Sequence, residues 1–103
     1  MDNLMNTIQE LQQWYQSQCD GDWEHGFGVR IETLDNPGWL VTIELTDTEL
    51  ADQPFIEISH LEHDIDWIHC QIRDNKFEGA GGPLKLDEIL HTFLSWAMER
   101  STV

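Results

Sequence analysis

Near the start of the chain the apolar residues recur at steps of three and four. Leu4, Ile8, Leu11 and either Trp14 or Tyr15 fall on one side, with glutamine and glutamate on the other, which is the spacing of an amphipathic helix. Asp2 or Asn3 is placed to cap its free backbone N–H groups, and Cys19-Asp20-Gly21 supplies the stop. The period then falls to two. In FGVRIETL, Val29 and Ile31 oppose Arg30 and Glu32; in WLVTIEL, Val41, Ile43 and Leu45 oppose Thr42 and Glu44. Between them Asp35-Asn36-Pro37-Gly38 reads as a type II turn, with proline fixing φ at the second position and glycine accepting the positive φ that follows.

A polar bridge, TDTELADQP, leads to a second pair of strands, FIEISHLE and DWIHCQIRD, with Glu62-His63-Asp64 at the hairpin tip. In the latter strand Ile68, Cys70 and Ile72 form one face, and Trp67, His69, Gln71 and Arg73 the other. Pro54 suits the start or edge of its strand. GAGGP, Gly79 to Pro83, reads as a break. The last segment, LKLDEILHTFLSWAMER, regains the helical period: Leu86, Leu90, Phe93 and Ala97 make one stripe, with Ile89 and Trp96 beside it. Asp87 and Glu88 at its start and Arg100 at its end suit the helix dipole. The expected fold is α+β: an N-terminal helix, a four-stranded antiparallel meander and a C-terminal helix, with both helices packed on one sheet face and charges on the other. Residues 1–103 form a single domain, since nothing in the pattern marks a repeat, a linker or a second core.

Charge changes this picture most. Twenty Asp and Glu face five Lys and Arg, a net −15, while 40% hydrophobic content with five tryptophans keeps the chain among folded proteins. Such a surface repels phosphate backbones and anionic lipid and attracts a basic protein. The N-terminal stretch MDNLMNTIQELQQWY has no apolar run fit for a signal peptide or a membrane span, so a cytoplasmic location is expected, with Cys19 and Cys70 as free thiols.

The richest stretch chemically is QCDGDWEHGFG, Gln18 to Gly28. Asp20, Asp22 and Glu24 alternate as at the start of a calcium loop, but the turn glycine is replaced by His25 and the closing glutamate by Ile31. His69 and Cys70 point to opposite faces of their strand, and no zinc motif is present, so no metal and no cofactor are expected. Cys19 follows a helix C-terminus and precedes two aspartates, which opposes thiolate formation. GAGG lacks the lysine of a phosphate loop. No catalytic residues are therefore assigned, although a small cytoplasmic enzyme using Cys19 with His25, or the Asp22 and Glu24 carboxylates, is the alternative. Trp14 and Trp96 belong to the core by spacing, whereas Trp23 and Trp39 sit among polar turn residues. Tryptophan beside carboxylates is the composition of an interface, although Trp23 also fits as a lid on the core. The candidate binding residues are Asp20, Asp22, Trp23, Glu24, His25, Asp35, Asn36 and Trp39.

Three segments also carry a resemblance. WYQSQCDGDWEH, Trp14 to His25, and LDNPGW, Leu34 to Trp39, with KFEGAGGPLKLDEILHTFLSWA near the end, resemble the bacterial immunity protein 53 family from about Leu11 to Trp96. Phe55 to Asp66 is not distinctive. The resemblance implies a small cytoplasmic antidote of a polymorphic toxin system, of α+β fold, that binds and neutralises a cognate toxin domain. Charge makes a basic toxin the expected partner, met through an acidic surface, with neither nucleic acid nor membrane involved. A homo-oligomeric scaffold is the remaining rival, and oligomeric state is not legible from the chain.

Overall fold

The computed structural model describes residues 6–61 and 65–101. Leu4, the expected caps Asp2 and Asn3, and the hairpin tip Glu62-His63-Asp64 lie outside them. Helix α1 spans Thr7–Gln18 and α2 is the single turn Trp23–Gly26. Strands follow at β1 Val29–Leu34, β2 Gly38–Glu44, β3 Ile58–His60, β4 Ile68–Arg73 and β5 Lys76–Gly81, before helix α3, Leu86–Ser101. The chain is α+β as expected, but the sheet has five antiparallel strands in the order β1-β2-β5-β4-β3, not a four-stranded meander.

The added strand is the one read as a break. Asp74 and Asn75 both take left-handed φ, +53° and +61°, and form a two-residue turn that brings Lys76 opposite Arg73. Phe77, Gly79 and Gly81 then alternate toward the core while Glu78 and Ala80 face away. Strand propensity counts against these glycines, but packing decides otherwise. A Cβ on Gly79 would lie 2.5 Å from Ile89 Cγ2, and one on Gly81 would lie 2.8 Å from Lys85 Cβ. The missing side chains let α3 settle directly on β5, which inserts between β2 and β4 (each of its residues is paired on both sides).

The first hairpin also differs from expectation. The Asn36–Pro37 peptide is cis, the loop is Asp35–Pro37, and Gly38 opens β2 without a positive φ. Glycine is required at 38 because a Cβ would collide with the Gly81 carbonyl of the neighbouring strand. β3 is only three residues long, so FIEISHLE is mostly not strand and Pro54 precedes it.

The core lies on one face. Val41, Ile43, Ile68, Cys70 and Phe77 project from the sheet to meet Ile89, Leu90, Phe93, Leu94, Trp96 and Ala97 of α3. The helices share this side unequally: α3 rests on β5, β2 and β4, and α1 packs chiefly against α3. That contact is Trp14 on Phe93, edge to face at 5.0 Å, and Phe93 in turn packs on Phe77 at 5.2 Å. α1 begins at a capping box, Asn6 accepting from the Gln9 backbone N–H while the Gln9 side chain accepts from the Asn6 N–H. Its inward stripe is narrower than predicted, Leu11 and Trp14, leaving Ile8 and Tyr15 exposed.

The glycine contact makes a prediction with a diagnostic sign. Gly-to-Ala in a strand ordinarily stabilises, yet Gly79→Ala should destabilise by about 1–3 kcal/mol through overpacking. Ile89→Ala alone should cost about 2–5 kcal/mol, and the double variant less than the sum, by urea unfolding. Additive effects would mean that Ile89 does not limit the approach of α3.

Candidate functional site

The stretch from Cys19 to Gly28 turns α1 into the sheet, and its carboxylates build that turn. Asp20 Oδ1 accepts from the backbone N–H groups of Asp22 (3.0 Å) and Trp23 (2.9 Å). Glu24 reaches back to accept from Asp20 N–H (3.0 Å) and Gly21 N–H (2.9 Å). The bonds to Trp23 and Asp22 hold the Asp20 carboxyl below its ordinary range. Gly21, at φ +91°, takes the backbone position that disfavours a side chain.

Trp23 is buried, not displayed. Its ring meets Trp14 and Tyr15 edge-on, each at 6.1 Å, and its Nε1 donates to the Thr46 carbonyl at 2.9 Å. Thr46 also joins the β4–β5 turn, its Oγ1 accepting from Asn75 Nδ2 at 3.1 Å. Glu49, close by in the same crossover, accepts from Trp14 Nε1 (3.2 Å) and Gln18 Nε2 (3.0 Å). Three segments distant in sequence therefore meet at one end of the sheet. They carry Asp20, Asp22, Glu24, Asp47, Glu49 and Asp74, with Glu24 half-buried and the others exposed. His25 is exposed at the rim, beside a groove of about 430 Å³ that Phe27, Arg30, Glu44 and Lys76 also line.

The other predicted residues do not join this group. Asp35 and Asn36 form the turn at the far end of β1, about 17 Å away along a strand of this length. Trp39 is half-buried there, its Nε1 donating to the Pro83 carbonyl at 2.9 Å. Asp74 is legible only once the added strand sets its turn beside Thr46, whereas Asp47 and Glu49 follow β2 and are set beside the joint by the first hairpin, where Glu44 N–H bonds the Gly28 carbonyl. The Asp-Asn dipeptide between two alternating runs was the available signal.

Three of the five basic side chains border this end: Arg73 and Lys76 flank the Asp74–Asn75 turn, and Arg30 lines the groove beside His25. Lys76 pairs with Glu44 (3.7 Å) and Arg73 with Glu78 (3.4 Å) on the sheet face opposite the helices. Lys85 lies between Asp66 (2.7 Å) and Glu88 (3.2 Å), which hold its ammonium above its ordinary value. Among the described residues no group of three His, Cys, Asp or Glu side chains is placed to hold a metal ion. Cys19 is half-exposed and its Sγ donates to the Tyr15 carbonyl at 3.3 Å, not to His25. Cys70 is enclosed in the core, and burial, then the Glu88 charge, push its thiol up to about 12. No helix among the described residues is long and apolar enough to cross a membrane.

With this geometry in view, comparison decides the family. The family model described as Immunity protein 53 matches residues 8–98. The chain belongs to the immunity protein 53 family. The match takes in α1, the acidic joint and every strand, and reaches into α3. No curated protein and no solved structure matches the chain.

Two measurements check the site. Asp20 ionises more easily folded than unfolded, so its charge stabilises above the ordinary value of 3.8, and that contribution is lost as pH falls through the lowered folded value. Wild type should therefore exceed Asp20→Asn in urea midpoint at pH 7, with the gap closing below pH 3.8. A gap independent of pH would assign the loss to geometry instead of charge. A thiol reagent should modify Cys19 in the native protein and reach Cys70 only on unfolding. Equal rates at both would place Cys70 outside the core.

Proposed function

We propose that this protein is an antidote that binds a cognate, basic bacterial toxin domain in the cytoplasm and neutralises it by occupancy, not turnover. What supports the reading most is the joining of three acidic segments through Trp23, Thr46 and Asn75 at one end of the sheet, in a member of the immunity protein 53 family. A basic substrate groove on the toxin is the complementary surface, and carboxylates seated in it exclude the anionic substrate. Long-range attraction between an acidic antidote and a basic target speeds encounter, and a few desolvated contacts at the centre then slow release. Asp22, Asp47 and Asp74 carry the approach in this reading, with His25 at their rim. Asp20 and Glu24 hold the loop while adding to its field. Asp35, Asn36 and Trp39 belong to the opposite end and have no part in this surface. The same charge disfavours nucleic acid and anionic membrane as partners.

The test respects the loop's construction. Glu24→Lys would break two backbone hydrogen bonds, so it reports on folding as much as on binding. Asp47 and Asp74 have φ of +63° and +53°, which asparagine tolerates. Tagged protein is used at low salt to capture the toxin domain from the source cells, with stepwise salt elution. Against that purified domain, the triple variant Asp22→Asn/Asp47→Asn/Asp74→Asn should lose about tenfold or more in affinity, chiefly in association rate, with a shallower salt dependence. Full affinity in the folded triple variant would remove the acidic end from the interface. A captured partner that is not a toxin domain would reject the antidote reading.

A further inference from the structure

Strand β1 is the long free edge of the sheet, six residues from Val29 to Leu34. Edge strands are ordinarily blunted by shortness, proline, bulges or inward-pointing charge. β3, at the other edge, is blunted by its length of three residues. β1 pairs residue for residue with β2, without a bulge, and contains no proline; the one device it carries is charge, Arg30 and Glu32, of opposite sign and both on the face away from the helices. Its hydrogen-bonding phase follows from Glu44 N–H, which donates to the Gly28 carbonyl at 3.1 Å. Gly28, Arg30, Glu32 and Leu34 thus turn their backbone groups toward β2, and Val29, Ile31 and Thr33 turn theirs outward. These three residues also place their side chains on the helix side of the sheet, in register with Ile43, Val41 and Trp39. There a groove of about 440 Å³ separates β1 from α1, lined by Leu11, Gln12, Tyr15, Phe27 and Val29. Ile31 at 40% and Tyr15 at 39% exposure leave its apolar flank open.

The sequence of this edge is complementary to itself. Arg30 and Glu32 flank Ile31 on the open face, and among the described residues neither has an ion-pair partner. An antiparallel copy centred on Ile31 sets Arg30 of each chain opposite Glu32 of the other, and Ile31 opposite Ile31. The outward backbone groups of Val29, Ile31 and Thr33 meet those of Thr33, Ile31 and Val29, so the ladder and the charges demand the same register. We infer that β1 is a homodimer interface, the two sheets joining edge to edge about a twofold axis through Ile31. The occupant is a second copy because the alternation of charge about a central apolar residue satisfies its own image. Each chain has a net charge of −15, so salt screens the repulsion between copies and strengthens the dimer. Binding of a basic partner at the acidic end has the opposite salt dependence, which separates the two interfaces.

Sedimentation equilibrium of the full chain should give a concentration-dependent mass approaching twice 12.0 kDa, favoured at higher salt. Arg30→Glu alone and Glu32→Arg alone each set like charges opposite one another and should weaken the dimer about tenfold or more. The double swap Arg30→Glu/Glu32→Arg should restore it, as should mixing the two single variants. In the dimer the amides of Val29, Ile31 and Thr33 should gain protection from hydrogen exchange. A monomer at every concentration overturns the inference, as does a dimer indifferent to both reversals. A chain that is monomeric alone, with these amides protected only by the captured toxin, overturns it in favour of a toxin strand on the same edge.

Discussion

The approach of α3 to β5 governs the arrangement of everything else. Helices ordinarily stand off a sheet by the height of the intervening side chains, but at Gly79 and Gly81 there are none. Ile89 descends into the space over Gly79, and the ring of Phe77 fills the sheet surface next to it. That places Phe93 over Phe77, and Phe93 gives Trp14 its seat. The position of α1, and of the acidic joint that ends it, is thus inherited from two absent side chains in the middle of the sheet. Close packing turns such a small difference into a definite geometry, because dispersion contacts weaken within fractions of an ångström.

The tryptophans carry the same order outward. Each buried indole presents a large apolar face to the core and one N–H that must find an acceptor. Trp23 donates to Thr46, Trp14 to Glu49 and Trp96 to Pro54, so the crossover from β2 to β3 is held at both ends and near its middle. Leu50, fully buried, plugs the space beneath it. The long connection, which in sequence looks like a solvated bridge, is a fixed part of the surface and keeps Asp47 and Glu49 beside the joint.

Periodicity made α3, β2 and β4 legible because those segments bury one clean face: Val41 with Ile43, Ile68 with Cys70, and Leu90 with Phe93; α1 and β1 show the period with less of it buried, and only three residues of FIEISHLE are strand. It failed where the buried face is made of glycine. Gly79 and Gly81 are inward-facing residues of a central strand, yet they look like a loop, since what they contribute is room for a helix remote in sequence. The same cause hid part of the acidic surface. Asp20, Asp22 and Glu24 declare themselves together, but Asp74 becomes their neighbour only once β5 is inserted between β2 and β4, whereas Asp47 is set beside them by the first hairpin and the Trp23 bond to Thr46. Trp23 was ambiguous for another reason: its polar neighbours are real, but they point outward while the ring turns in. The proline turn was placed correctly and its type misjudged, because Gly38 answers to a neighbouring carbonyl and not to its own φ.

The indole straps have a consequence for how this surface can change. Two of the three acceptors, at Thr46 and Pro54, are main-chain oxygens, and every amino acid offers one. The hold on the crossover is therefore indifferent to which side chains it displays at 53 or 56, both exposed, while 47 and 52, at φ +63° and +64°, keep to residues that accept the left-handed region. Architecture and display are inherited separately here: drift can rewrite the charges and shapes shown to the outside while the scaffold beneath keeps its form. A surface held by such a strap can vary without first having to refold.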